Sequence, residues 1–503
     1  MSAKNRHTVT INKVVTGGHG LAKLSDGLVV MVPFVLPGET VVIAIEKQRK
    51  SFAEAILLEV LEPSPQRVEP LCPHFGECGG CHLQHGDYPS QLAIKESILR
   101  DLLSRSQQWP AEKIDSLCQP ILASPTPFHY RQRIRLQVDG NGRLGFFARR
   151  SHAVVEIASC PLAADEINLV FSELRGLAAF RKLMSQSVAL ELLLSPLTGQ
   201  VEVIVHLGRK PRAADLQAAT AIADTPLEVG SHRGGPRITL HPETVSDCRV
   251  PQMREIGLRT IAPLCEQADA KADAVSCNRL PLLQAVWLAG EGFAMHGIFG
   301  SAGGEGPKTG GIALALPEDL GGRELILRFE AGGFCQVNTQ QNERLVRQLL
   351  AWAEVRTGDA VLDLFCGMGN FSLPLALAAR KVVGTDLQRS SIRGAQANAV
   401  SNQVENCLFL RADALSAVRE FKKAKERFDL ILLDPPRQGC REIIPLLADL
   451  GAEKIIYISC DPATLVRDLG QLQGLGFGLR KLRGVDMFPQ TCHVEAIALL
   501  SRD

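Results

Sequence analysis

Aromatic residues are scarce in this 503-residue chain, at 5% of positions, so its cores must be aliphatic. No run of 18 apolar residues occurs, so no transmembrane helix is expected. The opening MSAKNRHTVTINK lacks an apolar h-region; no secretory signal and a cytoplasmic location are expected. An excess of charge is also missing, since 55 Lys+Arg against 54 Asp+Glu leave a formal net charge of +1. That balance excludes nucleic-acid binding through bulk positive charge, though not through a local basic stripe. Whole-chain disorder is excluded by 46% hydrophobic and 22% charged residues, which is ordinary globular usage. Of the 14 cysteines, any that cluster are expected to bind metal or act in catalysis, because no oxidising compartment is indicated.

The length implies roughly three domains. Residues 1–68 are rich in Val and Ile, punctuated by glycines, and fit a compact five-strand barrel of oligonucleotide-binding type. PSPQRVEPLCP (63–73) reads as a linker. Residues 69–330 form a central α+β region. It holds a helical stretch over 87–117, a basic hairpin YRQRIRLQVDGNGRLGFFARR (130–150) turning at Asp139–Gly142, and a Gly-rich loop GSAGGEGPKTGG (300–311). Residues 331–503 alternate strand and helix. The fold class is therefore α/β, with a C-terminal doubly wound, mostly parallel sheet.

In that sheet DLFCGMGN (363–370) joins a strand to a helix. Gly367 and Gly369 permit a tight turn and close approach of a ligand. Asp386 ends the next strand, where a carboxylate accepts from a ribose diol, and Asp413 ends the third, where adenine-edge contacts are expected. There is no full GxGxxG and no phosphate-binding Lys-Ser/Thr, which favours S-adenosylmethionine (SAM) over a dinucleotide or ATP.

ISCDP (458–462) places Cys460 between a strand and a helix start, where the helix dipole favours thiolate. LLDPPRQG (432–439) places Asp434 at another strand end, and HVE (493–495) puts Glu495 in an apolar strand, a costly position for a carboxylate unless it is used or paired. With a SAM site, these residues suit one chemistry. A thiolate adds to C6 of a pyrimidine, C5 takes a methyl group, and a base removes the C5 proton. A base buried in folded RNA must be flipped out for this.

Cys72, Cys78 and Cys81 form C-x5-C-x2-C, and Cys160 is the natural fourth ligand. Four thiolates suit zinc or an iron–sulfur cluster. Residues 128–150 carry six arginines against one aspartate, and Arg131, Arg133 and Arg135 alternate onto one face. That face serves either phosphate contact or solvation.

SCDPATLVRDL (459–469), DMFPQTCHVEAIALL (486–500), LDLFCGMGNF (362–371), LLDPPRQG and GGFCQVN (332–338) closely resemble the RNA uracil-C5 methyltransferase family. The resemblance implies Cys460 as nucleophile, Glu495 as base and Asp434 as the residue orienting the target base. It implies Gln336, Phe365, Asn370, Asp386 and Asp413 as the lining of the SAM pocket. The cysteine spacing resembles the 23S rRNA branch, which implies a [4Fe–4S] cluster rather than zinc, with 23S rRNA rather than tRNA as substrate. Residues 17–40 resemble a TRAM domain, an RNA-binding barrel. No protein partner or membrane is implied, and a monomer is expected. A non-catalytic RNA-binding protein is the rival of another class, and the joint presence of Cys460, Glu495, Asp434 and the SAM loop argues against it.

Overall fold

A computed structural model describes residues 6–197, 199–209, 212–223, 322–330 and 335–502, with the strands Leu240–Pro242, Glu255–Thr260, Leu283–Ala289, Ala294–Phe299 and Thr309–Ala315. Residues 300–308 of the Gly-rich loop and 332–334 of GGFCQVN lie outside the described residues.

Val and Ile alternation over residues 6–62 yields six strands rather than five: Arg6–Thr10, Lys13–Val15, His19–Lys23, Val29–Pro33, Thr40–Gln48 and Phe52–Glu62. The extra one arises because residues 7–15 break at Asn12. Its amide donates to Leu21 O at 2.8 Å, while the Ile11 amide donates to Glu39 O at 2.9 Å. Val9, Ile11, Val30, Val32, Val41 and Ile43 fill the core. The linker is tied to this sheet by Arg67, which grips buried Glu39 through two donors at 2.5 and 2.7 Å. Such a bidentate pair fixes direction as well as distance.

The hairpin strands Arg133–Val138 and Leu144–Phe147 turn through Asp139, whose Oδ1 accepts from the Asn141 and Arg143 amides at 2.9 Å each. They belong to a nine-stranded central sheet with Ser187–Ser195 and Gln200–Leu207 beside them. The helices Asp165–Gly176 and Ala178–Met184 bury Phe171, Leu174, Phe180 and Leu183 against it.

The C-terminal sheet has eight strands. Their order is Cys407–Arg411, Lys381–Asp386, Ala360–Leu364, Leu430–Leu433, Lys454–Ser459, Glu495–Arg502, Phe477–Val485 and Cys118–Leu122. The first five are parallel, and Glu495–Arg502 runs antiparallel to both its neighbours. Strand order reverses between Ala360–Leu364 and Leu430–Leu433, which opens a crevice at their carboxyl ends. Two aliphatic layers cover the faces, with Val361, Ile456 and Ile458 on one and Leu362, Leu364, Ile455 and Tyr457 on the other. The strand Cys118–Leu122, from the span expected to be central, completes this sheet at its edge. Among the described residues no helix is long and apolar enough to cross a membrane.

The helix Tyr88–Ser106, capped by Asp87, leads to that edge strand. It ends at Gln107, whose φ of +56° stops the expected continuous helix, and Ala111–Leu117 starts a second. From its buried face Lys95 reaches Asp486 Oδ1 at 2.5 Å and Phe488 O at 2.9 Å, and the Tyr88 hydroxyl donates to Asp486 Oδ2 at 2.9 Å. Both ions of this pair are fully buried. Removing one partner leaves the other uncompensated, which typically costs about 3–5 kcal/mol. Lys95→Met is therefore expected to lower the urea midpoint strongly, and Lys95→Met with Asp486→Leu to lower it less. An equal loss in both proteins would contradict the pairing.

Candidate active site

The register of the C-terminal sheet gathers three of the expected residues. Ser459 pairs with Ala496, so one step further sets Cys460 opposite Glu495. Leu433 pairs with Tyr457, which carries Asp434 to the same end of the sheet. Cys460 and Asp434 are half-buried and Glu495 is buried.

Burial alone pushes the Glu495 carboxyl up to about 7. Asp434 lies well above the usual carboxylate range through burial, then through the charges of Glu495 and Asp363. The charge of Glu495 thus opposes ionisation of Asp434. No salt bridge to Glu495 occurs among the described residues, so the pairing that would offset a buried carboxylate is not found there. The expectation that the helix dipole favours a Cys460 thiolate is corrected. Burial, then Glu495 and Asp434, raise the thiol, and Arg437 opposes them only in part. Asp461 caps the Pro462–Gln473 helix by accepting from the Thr464 amide at 2.9 Å.

Next to this end lies the glycine loop. Phe365 takes φ +78°, and the Phe365 and Cys366 amides both donate to Thr385 O, at 2.9 and 2.8 Å. Gly367, at φ +55°, donates its amide to Asp386 Oδ2 at 3.1 Å, and Gly369 takes φ +90°. Asp386 thus holds the loop and also accepts from the Gln388 amide at 2.7 Å. Asn370 exchanges amide bonds with Asn342 at 2.8 and 2.9 Å. Asp413 is the exposed N-cap of the Ala414–Lys423 helix, accepting from the Ser416 amide at 3.0 Å. Gln336 is buried in the segment ending at Asn338, whose Nδ2 donates to Met487 O at 3.3 Å.

Asp363 went unread in the sequence. It is fully buried, and Ser372 Oγ donates to its Oδ2 at 2.5 Å. Among the described residues its Oδ1 has no partner, nor has the buried Thr385 Oγ1 on the neighbouring strand. Burial pushes the Asp363 carboxyl up to about 7. Orphaned polar atoms under a glycine turn fit a polar ligand in the crevice.

Cys72, Cys78, Cys81 and Cys160 border one cavity of about 90 Å³, together with Gln84 and Arg131. Among the described residues no three histidine, cysteine or carboxylate side chains stand at metal-coordinating spacing, so the thiols ring the space without meeting at one point. Gln84 Nε2 donates to Cys81 Sγ at 3.2 Å and the Gly80 amide to Cys78 Sγ at 3.4 Å. Burial pushes the Cys81 thiol up to about 12, and Cys160 adds to it. Burial and Cys160 also raise Cys72 and Cys78.

The hairpin arginines do not form one free face. Arg131 precedes the strand and borders the thiol cavity. Arg133 pairs with buried Glu191 at 2.5 Å, Arg143 with Asp139 at 2.7 Å and Arg150 with Glu54 at 2.6 Å. Arg135 is exposed.

Residues 315–503 match the family described as tRNA (Uracil-5-)-methyltransferase, and residues 6–58 match the TRAM domain. The chain is similar over nearly its whole length to proteins named 23S rRNA (uracil(1939)-C(5))-methyltransferase RlmD. That of Vibrio parahaemolyticus is 32% identical over 99% of this chain and 96% of its own. That of Pseudomonas entomophila is 32% identical over 98% and 93%. Among solved structures, the Pyrococcus abyssi tRNA (uracil-54, C5)-methyltransferase in complex with S-adenosyl-L-homocysteine matches at a TM-score of 0.62 and 23% identity, over 98% of this chain and 100% of that one. At that identity the likeness shows the fold.

Proposed function

The chain belongs to the RNA uracil-C5 methyltransferase family and is a SAM-dependent enzyme of that class; from that premise we propose that it methylates C5 of a uridine in 23S rRNA through covalent catalysis by Cys460. The observation that carries this reading is the meeting of Cys460, Glu495 and Asp434 at the sheet end beside the glycine loop. The names of its relatives support the rRNA substrate.

SAM supplies an electrophilic methyl group when bound in the crevice. Gln336, Phe365, Gly367, Gly369, Asn370, Asp386, Asp413 and Asp434 would line it, and the orphan oxygens of Asp363 and Thr385 add polar partners. Asp434 orients the flipped uracil. The Cys460 sulfur, as thiolate, forms a bond to C6, and the electron pair of the C5–C6 double bond moves toward C5 and O4. C5 then takes the methyl group. Glu495 removes the C5 proton, the double bond reforms, and the C6–S bond breaks to return the thiolate. Because Glu495 must be ionised and the Cys460 thiol is raised, turnover increases from pH 6 to pH 8.

Cys72, Cys78, Cys81 and Cys160 would hold a [4Fe–4S] cluster. The support for this is the C-x5-C-x2-C spacing, with Cys160 bordering the same cavity as the other three thiols. The cluster would fasten the cysteine loop to the segment that follows the hairpin. Protein purified without oxygen is expected to contain iron and acid-labile sulfide in equal amounts, and to lose both in Cys160→Ala. Zinc in their place would contradict the assignment. The domains proposed are a TRAM-like barrel at 1–68, a central cluster domain at 69–330 and the methyltransferase domain at 331–503.

Labelled SAM offered with unmodified 23S rRNA and unmodified tRNA tests the function. Labelled 5-methyluridine in 23S rRNA alone is expected. Label in tRNA would overturn the substrate, and label in neither would overturn the function.

A further inference from the structure

A second cleft, of about 440 Å³, lies where the N-terminal sheet meets the cysteine loop. It is bordered by His19, His82, Phe147, Arg149, Arg150 and the backbone of Gly79 and Gly80. The chemistry above uses none of these side chains.

Arg149 and Arg150 are consecutive, and an extended backbone would send them to opposite sides. Arg150 instead takes φ +55°, a conformation disfavoured for a residue with a β-carbon. Both guanidiniums then converge on one atom: Arg149 Nη2 lies 2.9 Å and Arg150 Nη2 3.2 Å from His19 Nε2. One ring nitrogen accepts from two cations only as a neutral imidazole offering its lone pair. Glu54 binds Arg150 at 2.6 Å, while Arg149 lies over the Phe34 ring at 5.0 Å. Glu54 offsets the charge of Arg150 through Nη1, while the Nη2 atoms of both arginines stay together on His19 Nε2, where an anion would meet both.

Two further features extend the chemistry beyond an anion. The His82 Nδ1 is buried and has no hydrogen-bond partner among the described residues. Phe147 is 39% exposed; its ring meets His152 edge-to-face at 5.2 Å and still offers aromatic surface to solvent for stacking. Guanidiniums for a phosphate, a ring for a base and a free polar nitrogen are what an unpaired nucleotide requires. The cleft also adjoins the reacting end of the sheet. The rings of His82 and His493 lie 6.3 Å apart, and His493 precedes Glu495 by two positions.

We propose that this cleft is a nucleotide subsite for an unpaired residue of the RNA flanking the target uridine, with its phosphate on Arg149 and Arg150 and its base on Phe147. The proposal rests on the RNA-methylation reading, and its test separates the two. RNA affinity and turnover are measured for the full-length protein, Arg150→Ala, Arg150→Lys and Phe147→Ala, on a 23S rRNA fragment and on the same fragment with single abasic sites.

Arg150→Ala is expected to weaken RNA binding about tenfold at low salt and to lower the salt slope by about one. SAM affinity should be unchanged, and Arg150→Lys should restore most of the binding, which a folding defect would not allow. One abasic position is expected to cost the wild type about tenfold in affinity and to cost Phe147→Ala nothing further. Wild-type RNA affinity in both Arg150→Ala and Phe147→Ala would overturn the subsite while leaving methylation standing. Weakened binding in the variants of a wild-type protein that transfers no methyl group would uphold the subsite and overturn the function.

Discussion

Replacing Cys460 by Ala is expected to remove methyl transfer almost completely, by roughly four orders of magnitude or more, while SAM still binds. Pyrimidine C5 carries too little electron density to displace a methyl group unless a nucleophile first saturates C6. Cys460 sits opposite Glu495 by register, outside the loop that carries Gly367 and Gly369, so its loss leaves the crevice intact. The surroundings make the thiol a poor thiolate in the free protein, because burial, Glu495 and Asp434 all oppose its charge. Measured as single-turnover rate against pH, the wild-type reaction should therefore quicken as pH rises toward the thiol range. Cys460→Ala with substantial turnover would remove the nucleophile from the account.

Glu495→Gln is expected to separate the two halves of the reaction. The amide has the shape of the carboxylate but does not accept the C5 proton, so methyl transfer proceeds and release stalls. A general base is worth typically 10²–10⁴-fold, and a release step slowed by that factor lets an RNA–protein adduct accumulate. Denaturing electrophoresis should show labelled RNA migrating with the protein in Glu495→Gln and little in the wild type. In the wild type, release should slow below about pH 7, where the buried carboxyl takes up a proton. The variant should lose that dependence. Free, fully methylated RNA released at the wild-type rate would assign the base elsewhere.

The residues that meet at the candidate site are largely legible in the sequence because apolar strands expose their exceptions. Glu495 stands out in HVEAIALL, and Cys460 stands between a strand of Ile and Tyr and a proline-started helix. Asp363 carries the same signal inside AVLDL, yet only the fold separates it from the adjoining loop as a buried group with an orphan oxygen. The sign of the Cys460 shift was not legible, since it depends on carboxylates that register brings from two other strands. Nor was the edge strand Cys118–Leu122. Pro120 in CQPIL argues against a strand, although an edge position tolerates a residue without an amide proton. The arginine stripe failed for a related reason. Alternation sets a common face only within a strand, and Arg131 lies before the strand begins, while the partners of Arg133 and Arg150 come from distant segments.

The most direct test of the central claim uses 23S rRNA fragments carrying 5-fluorouridine at the target, incubated with the wild-type protein and SAM. Fluorine at C5 leaves no proton for Glu495 to remove, so the methylated intermediate cannot expel the thiolate. Mass spectrometry of the digested complex should find a methylated 5-fluorouridine nucleotide bonded to Cys460. Absence of an adduct despite turnover on ordinary RNA, or an adduct on another residue, would contradict the account.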